Sequence, residues 1–417
     1  MKDRLRGNAV VGQSGGPTAA INATLTGVIK GALENEYIDT LYGMRNGIEG
    51  LMAERFVDLS ALFAEESEQK ALIHTPAAAL GSCRRKLPSP DSEKQEDIAV
   101  FERIFEVFER YSIRYFFYIG GNDSMDTVAK LSKYAARKGI ADSVRIMGVP
   151  KTIDNDLAIT DHAPGFGSAA KYVATTMTEI IRDCAVYTVK AVTIVEIMGR
   201  DAGWLTASSG VGAFLGADAP DLIYLPERSF DMNEFFASLR VAFEKHPNIV
   251  VAVSEGIRFA DGRYVGEGTQ SGAVDVFGHR YLAGTAKVLE QAVKNEFGCK
   301  VRSIELNLPQ RCAAHLSSAT DLEESVAIGR AAVRAACDEG ASGEMVYFKR
   351  LSSKPYGCEI EHCSVLDVAN YISALPDDYI NAEGNYITEA CADYILPLIK
   401  GEASPTYENG LPKYVRL

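Results

Sequence analysis

The sequence lacks the cysteine grouping of a disulfide framework or a zinc site. Its eight cysteines are scattered over 417 residues, without a C-x-x-C pair and without histidines at the spacing of a zinc site. A disulfide framework or a structural zinc site needs tighter grouping of such residues. We therefore expect reduced thiols, no cysteine-based metal site and a cytoplasmic protein.

Basic residues are also outnumbered by acidic ones: the chain has 43 Lys and Arg and 56 Asp and Glu, which gives a formal net charge of −13. This balance argues against nucleic-acid and membrane-surface partners, although a local basic cluster can still hold an anionic substrate. No long apolar segment follows the charged residues 2–6, and the uncharged stretch 202–217 is too short for a membrane span. We expect neither export nor membrane insertion, and we interpret residues 202–217 as the start of a core helix.

Hydrophobic residues form 47% of the chain, enough for one large subunit or two packed domains. Short β-branched and aromatic runs predict strands, and longer stretches with helical periodicity alternate with them. The strands are predicted at 8–12, 115–119, 144–149, 191–197, 249–253 and 343–349, and the helices at 19–34, 97–110, 125–137, 168–184, 234–244, 284–295 and 322–337. This alternation predicts an α/β fold with two doubly wound, Rossmann-like lobes and an active site in the crevice between them.

Two glycine-rich turns follow predicted strands and precede predicted helices. The first contains Gly15 and Gly16, and the second is Gly120-Gly121-Asn122-Asp123-Ser124. Such turns let backbone amides at a helix N-terminus face a phosphate, although glycines also serve tight packing. Each turn alone leaves phosphate binding open.

A third polar stretch, residues 149–157, follows the predicted strand 144–149. It brings Asp154 and Asp156 close to Lys151, an arrangement suited to a carboxylate base whose pKa is set by charged neighbours. A loop whose Asp and Asn residues only cap helices or turns is the alternative.

Four ordered motifs resemble the 6-phosphofructokinase family: Gly15-Gly16-Pro17 with Asn22, then residues 120–124, 150–156 and 198–200. The resemblance runs from Asn8 to beyond Arg311 and is specific because four such motifs rarely recur in order. It implies that Asp154 is the general base toward the sugar 1-hydroxyl, with Asp156 orienting it or capping the loop. It also implies that Thr152 binds phosphoryl oxygens and that Arg84, Gly12, Gly121 and Ser124 hold the donor phosphates.

Asp123 and Lys151 make the sequence similar to the branch of the family that uses pyrophosphate, since ATP-using members have glycine at both positions. A carboxylate at Asp123 would occupy and repel the place of a nucleotide α-phosphate, and Lys151 would stabilise charge on the leaving oxygen. Alternatively, Lys151 only neutralises Asp123 or Asp154. Arg85 and Lys86 are interpreted as surface cations unless the site uses them.

The family resemblance also implies a magnesium ion, but its usual carboxylate ligand is Asn122 here. An amide oxygen can ligate a hard cation without contributing negative charge. We therefore expect Mg²⁺ mainly as a complex with pyrophosphate, with Asn122 as a weak ligand.

The second lobe is expected to hold fructose 6-phosphate. The resemblance assigns sugar-phosphate contacts to residues spread over four segments: Thr152, Ile153, Asp154, Met198, Gly199, Arg200, Glu255, Arg302, Leu308 and Arg311. Within this set Arg302 and Arg311 suit the dianionic 6-phosphate, and in the family one such arginine comes from a neighbouring subunit. This implies a homo-oligomer with a shared active site.

The resulting hypothesis is a reversible pyrophosphate-dependent phosphorylation of fructose 6-phosphate at O1, in glycolysis or gluconeogenesis. Residues 1–165 plus about 310–362 are predicted to form the donor lobe, and residues 166–309 plus about 363–417 the sugar lobe. Two alternatives remain open at this point: sedoheptulose 7-phosphate as acceptor, and a non-catalytic phosphosugar-binding subunit.

Overall fold

A computed structural model describes residues 4–267 and 284–417 of the chain. Its strands are β1 (Gly7–Gln13), β2 (Ile38–Met44), β3 (Phe56–Asp58), β4 (Ile113–Gly120), β5 (Arg145–Pro150), β6 (Ala191–Ile197), β7 (Leu222–Tyr224), β8 (Ser229–Phe230), β9 (Asn248–Ser254), β10 (Arg258–Phe259), β11 (Lys300–Glu305), β12 (Glu344–Ser353), β13 (Tyr356–Ser364), β14 (Tyr407–Glu408) and β15 (Leu411–Pro412).

The α-helices of the described ranges are α1 (Ile21–Glu34), α2 (Gly47–Met52), α3 (Leu59–Leu62), α4 (Glu66–Ile73), α5 (Gln95–Arg110), α6 (Asn122–Arg137), α7 (Phe166–Cys184), α8 (Trp204–Ser208), α9 (Met232–Phe243), α10 (Thr285–Phe297), α11 (Pro309–Cys312), α12 (Ala319–Cys337) and α13 (Glu389–Ile395). None of these helices combines the length and apolar character needed to cross a bilayer.

The larger sheet has seven strands in the order β13-β12-β5-β4-β1-β2-β3. Its five central strands are parallel, and β3 and β13 run antiparallel at the edges. Along β1, Ala9 and Val11 pack in one core with α1 and α12, whereas Val10 packs in another with α5 and α6. Burial on both faces explains why this strand is continuously apolar in sequence.

The smaller sheet is parallel throughout, with strand order β11-β6-β9-β7. Val195 and Ile197 of β6 pack toward α7, α8 and α13, and Val192 and Ile194 pack toward α9 and α10. Both sheets are therefore layered between helices, as the predicted doubly wound lobes require.

Residues 202–217 do not form one core helix. The structure has the short helix α8 followed by a 3-10 turn, Val211–Leu215. Gly210 and Gly212 lie against Ile223 and the Asp218 carbonyl, where a Cβ atom would come within 2.6 and 2.7 Å of them. Close packing at glycines, which also lower helix propensity, explains the break.

The segment after β13 passes between the two lobes. Val365 and Val368 pack in the core of the seven-stranded sheet, whereas Leu375 packs in a core of the four-stranded sheet. Residues 370–374 therefore bridge the lobes, and they run past the ends of β4 and β5.

Candidate active site

The carboxyl ends of strands from both sheets face one crevice of about 840 Å³. The seven-stranded sheet contributes residues 15–18 after β1, 121–124 after β4 and 151–156 after β5. The four-stranded sheet contributes residues around 198–202 after β6, Glu255 after β9 and residues around 305–311 after β11. Clefts at the carboxyl ends of parallel strands are the usual ligand sites of doubly wound folds.

The two glycine turns bring backbone close to cationic side chains. Gly15 has a left-handed φ of 78°, and a Cβ atom on it would lie 3.4 Å from Lys151 Nζ. A Cβ on Gly120 would lie 1.9 Å from Ser124 Oγ, so only glycine fits there. Gly12 lies one step back in β1, packed against Met44, and is absent from the crevice lining.

Lys151 begins the loop after β5 and is only 4% exposed. Its Nζ donates a hydrogen bond of 2.5 Å to the Gly16 carbonyl, which joins the loops after β1 and β5. Burial lowers the pKa of Lys151 to about 8, against the opposing charges of Asp154 and Asp156. The Lys151 ammonium group lies in the crevice, where it would stabilise negative charge that develops on the phosphoryl group.

Asp154 faces the same crevice two residues from Asp156. Its backbone N–H donates to Thr152 Oγ1 at 3.1 Å, and Ile153 lines the wall beside it. Burial and the neighbouring Asp156 charge raise the pKa of Asp154 to about 7. A carboxylate with a near-neutral pKa is suited to general-base work.

Asp123 pairs with Lys86 at 3.0 Å. The sequence had left Lys86 as a possible surface cation and had considered Lys151 as the partner of Asp123. Lys86 lines the crevice together with Arg84 and Asp123. The carboxylate thus has a cationic partner at the edge of the crevice, and Lys86 is a crevice residue that the sequence analysis did not assign.

Asn122 is oriented by the segment that bridges the lobes. Its Nδ2 donates to the Tyr371 carbonyl at 2.9 Å, while its buried Oδ1 has no hydrogen-bond partner. A buried carbonyl-type oxygen without a partner is a ligand that a hard cation accepts. No group of three His, Cys, Asp or Glu in the described ranges forms a metal site.

The opposite wall carries predicted sugar-phosphate residues. Met198, Arg200, Glu255 and Leu308 line the crevice, and Gly199 supports this wall by donating its N–H to Glu255 Oε1 at 3.5 Å. Burial and the Asp154 charge raise the pKa of Glu255 to about 8. Glu255 therefore carries a proton near neutral pH and can donate a hydrogen bond to a hydroxyl.

Arg311 also lines the crevice, near the first glycine turn. A Cβ atom on Gly16 would lie 3.3 Å from Arg311 Nη1, and burial together with nearby Arg84 lowers the pKa of Arg311. Arg302 lies elsewhere: it is exposed on the edge strand β11 and lines a separate depression with Tyr187 and Lys300. The crevice of a single chain contains Arg311 but not Arg302.

Several crevice residues were missed by the sequence analysis. Carboxylates outnumber cations in the lining: Asp123, Asp154, Asp156, Glu196, Asp201, Glu255 and Glu305 face Arg84, Lys86, Lys151, Arg200 and Arg311. Glu196 could have been found, because it interrupts the apolar run of a buried strand. Asn370 and Ile372, from the bridging segment, carried no such signal.

Glycine turns, a carboxylate with a near-neutral pKa and five cations around one α/β crevice define a phosphotransferase. Comparisons with known proteins specify the class. The family model described as phosphofructokinase matches residues 8–336. The chain belongs to the phosphofructokinase family, and the resemblance seen in the sequence is confirmed.

Relatives match almost the full chain. A protein of Xanthomonas campestris named pyrophosphate–fructose 6-phosphate 1-phosphotransferase is 44% identical over 99% of this chain and 96% of its own. A protein of Halomonas elongata with the same name is 41% identical over 98% and 96%. The crystal structure of a pyrophosphate-dependent phosphofructokinase from Nitrosospira multiformis superposes with a TM-score of 0.87 at 37% identity, covering 99% of this chain and 96% of that one. The predicted fold class is thereby confirmed.

Proposed function

We propose that the protein transfers a phosphoryl group reversibly from pyrophosphate to O1 of fructose 6-phosphate, giving fructose 1,6-bisphosphate and phosphate. The observation that carries the proposal is the placement of Asp154 and Lys151 in one crevice with the glycine turns and Asp123. The names of the relatives support both substrates. The alternatives of a seven-carbon acceptor and a non-catalytic subunit are not favoured. The proposal includes a role in glycolysis in the cytoplasm.

The reaction needs one proton acceptor and stabilisation of the displaced oxygen. The Asp154 carboxylate accepts the proton of the O1 hydroxyl as that oxygen forms its bond to phosphorus. The bridging oxygen of pyrophosphate keeps the electron pair of the broken P–O bond and leaves as phosphate. The Lys151 ammonium offsets the charge that develops during this exchange.

Donor choice depends on Asp123 and Lys86 together. The carboxylate occupies the position where the sequence resemblance puts a nucleotide α-phosphate. Because the Lys86 ammonium lies 3.0 Å away, repulsion is weaker than an isolated Asp123 would give. We infer that the space which the carboxylate occupies and its remaining charge act together to exclude ATP.

A coupled assay with each donor at equal magnesium tests the proposal. We expect turnover with pyrophosphate and little with ATP. The double variant Asp123→Gly, Lys151→Gly is expected to admit ATP and to lose turnover with pyrophosphate. Lys138→Gly, Asp142→Gly, at two exposed positions, is the matched control and should keep the original preference. Faster turnover of the unaltered protein with ATP would overturn the donor assignment.

Magnesium is proposed to arrive with pyrophosphate and to be held there by Asn122 Oδ1. The buried Asn122 Oδ1, which has no hydrogen-bond partner among the described residues, supports this because a hard cation accepts such an oxygen as a ligand. When bound, the ion would neutralise charge on the phosphates. Removing magnesium with a chelator should stop turnover. It should leave the melting temperature of the ligand-free protein unchanged, because the metal binds only together with pyrophosphate.

A homo-oligomer with a shared active site is also proposed. Arg302 lies outside the crevice of its own chain and on the edge strand of its sheet, so a sugar-phosphate contact requires a second copy. Co-expressing Arg302→Ala and Asp154→Asn chains tests this, because mixed oligomers would contain some intact sites. Activity above that of either variant alone is expected. Mixed oligomers without recovered activity would contradict a shared site.

A further inference from the structure

The loop that carries Asp154 and Asp156 has an unusual residue between them. Asn155 is 3% exposed and has a left-handed backbone with φ of 55°. Asparagine tolerates a left-handed backbone better than most residues. For every residue except glycine, however, this conformation is higher in energy than the right-handed or extended one. Contacts of the side chain must therefore hold the loop in place.

Both ends of the Asn155 amide are occupied. Its Nδ2 donates to Tyr394 Oη at 2.8 Å, and its Oδ1 accepts from the Ala163 backbone N–H at 2.9 Å. Tyr394 in turn donates its hydroxyl proton to the Asp161 carbonyl at 2.5 Å. The hydroxyl thus accepts from Asn155 and donates to Asp161, which leaves the phenol one orientation.

Tyr394 is itself fixed by a buried cluster. The Arg350 guanidinium lies 4.5 Å from its ring centre and donates to the Asp161 carboxylate at 3.0 to 3.1 Å. The ring of Trp204 packs at 4.9 Å between centroids. A phenol packed against the Arg350 guanidinium and the Trp204 ring transmits its position to the loop because well-packed side chains cannot shift independently.

We propose that Tyr394 is a positioning residue for phosphoryl transfer, which acts through Asn155 to hold Asp154 and Asp156 at a fixed place in the crevice. The proposal rests on the proposed function. Tyr394 lies in α13, beyond residues 8–336 that the family model matches, so this contact comes from outside that segment. A displacement of about 1 Å in a reacting group can lower the rate about 100-fold, so a residue that holds the general base in place has a large effect on kcat.

The test compares two Tyr→Phe changes in the same cluster. Tyr394→Phe removes the hydroxyl that binds Asn155. Tyr356→Phe is the matched control, because Tyr356 Oη donates to Glu324 Oε1 at 2.6 Å and its ring lies 5.1 Å from the same Arg350 guanidinium. Tyr394→Phe deletes the hydrogen bonds from Asn155 and to the Asp161 carbonyl, whereas Tyr356→Phe deletes the one to Glu324, so only the first change touches the Asp154 loop.

We expect Tyr394→Phe to lower kcat roughly 10- to 100-fold with both KM values within about twofold. The acid limb of the pH profile of kcat should also shift, because the contacts that set the pKa of Asp154 are less fixed in this variant. Tyr356→Phe should lower the melting temperature by less, because it deletes fewer hydrogen bonds, and should keep kcat and the pH profile. Equal kcat for the two variants, with both pH profiles unchanged, would reduce Tyr394 to a structural role and overturn the inference.

Two further measurements keep the outcome decisive. Asn155→Gly retains the left-handed backbone and removes the hydrogen bond to Tyr394 together with the one from the Ala163 N–H, so it replaces Tyr394→Phe if that variant does not fold. In ligand-free protein, the melting-temperature gain from Asp154→Asn at pH 8 should shrink in the Tyr394→Phe background and persist in the Tyr356→Phe background. If the melting-temperature gain persists in both backgrounds, Tyr394 does not position Asp154, whichever substrates the unaltered protein uses. An unaltered protein inactive with pyrophosphate and fructose 6-phosphate refutes only the proposed function.

Discussion

Replacing Asp154 with asparagine should stabilise the ligand-free protein while removing its activity. Burial and the Asp156 charge raise the pKa of Asp154 from 3.8 to about 7. Ionisation of Asp154, which a general base requires, therefore destabilises the folded protein. A shift of this size corresponds to roughly 4 kcal/mol at most, and about 1 to 4 kcal/mol once relaxation and the lost attraction to Lys151 are considered. For a chain of 417 residues this is roughly 1 to 4 °C in melting temperature.

The pH dependence of this gain has a defined sign. Because the folded-state pKa is raised, the folded protein holds a proton that the unfolded chain releases between pH 3.8 and about 7. The charge therefore costs stability increasingly over that window and at a constant level above it. The advantage of Asp154→Asn should be near zero at the acid end and largest at pH 8.

Thermal melts of the two proteins between pH 4 and pH 8, paired with the coupled assay, measure both effects. Asp142→Asn, at an exposed position, removes the same formal charge and should give no gain that grows with pH. We expect kcat of Asp154→Asn to fall by roughly 100- to 10,000-fold, the range of general-base contributions. A variant that is destabilised at pH 8, or that keeps its activity, would show that Asp154 is not a buried base.

Two other predictions concern the charges around the crevice. Lys86→Ala leaves Asp123 without its 3.0 Å partner, so KM for pyrophosphate should rise several-fold while KM for fructose 6-phosphate stays unchanged, and steady-state kinetics with each substrate varied will show this. The pH profile of kcat/KM should be bell-shaped, with limbs near 7 and 8, because Asp154 must lose its proton and Lys151 must keep its own; a flat profile over that range would contradict these roles.

The elements that the sequence predicted well are those with a local physical cause. The strand predicted at 115–119 is the centre of β4, since aromatic and β-branched residues buried on both faces leave a continuous apolar run. The helix predicted at 125–137 begins three residues earlier, at Asn122. No side chain caps that end, because Gly121 is the N-cap, so the sequence offered no start signal.

The sequence was less informative about partners in space. It marked Asp123, but the choice between Lys86 and Lys151 as its partner depends on how the segment between α4 and α5, which carries Lys86, meets the loops after β4 and β5. Tyr394 was not among the predicted site residues, yet its hydroxyl accepts a hydrogen bond from Asn155. The assigned roles of the individual site residues, and the limits of the two lobes, stay predictions.

By itself, the sequence determined the family, the α/β alternation and the polar motifs that end the strands. These features depend on neighbours within a few residues, on side-chain periodicity and on short turns, which the order of amino acids fixes directly. Tertiary structure decided that Lys86 pairs with Asp123, that Tyr394 bonds to Asn155 in the loop of Asp154, and that Arg302 lies outside the crevice of its own chain. Electrostatic pairs and hydrogen bonds form over about 3 Å of space, whatever the separation along the chain, so only the folded arrangement selects them.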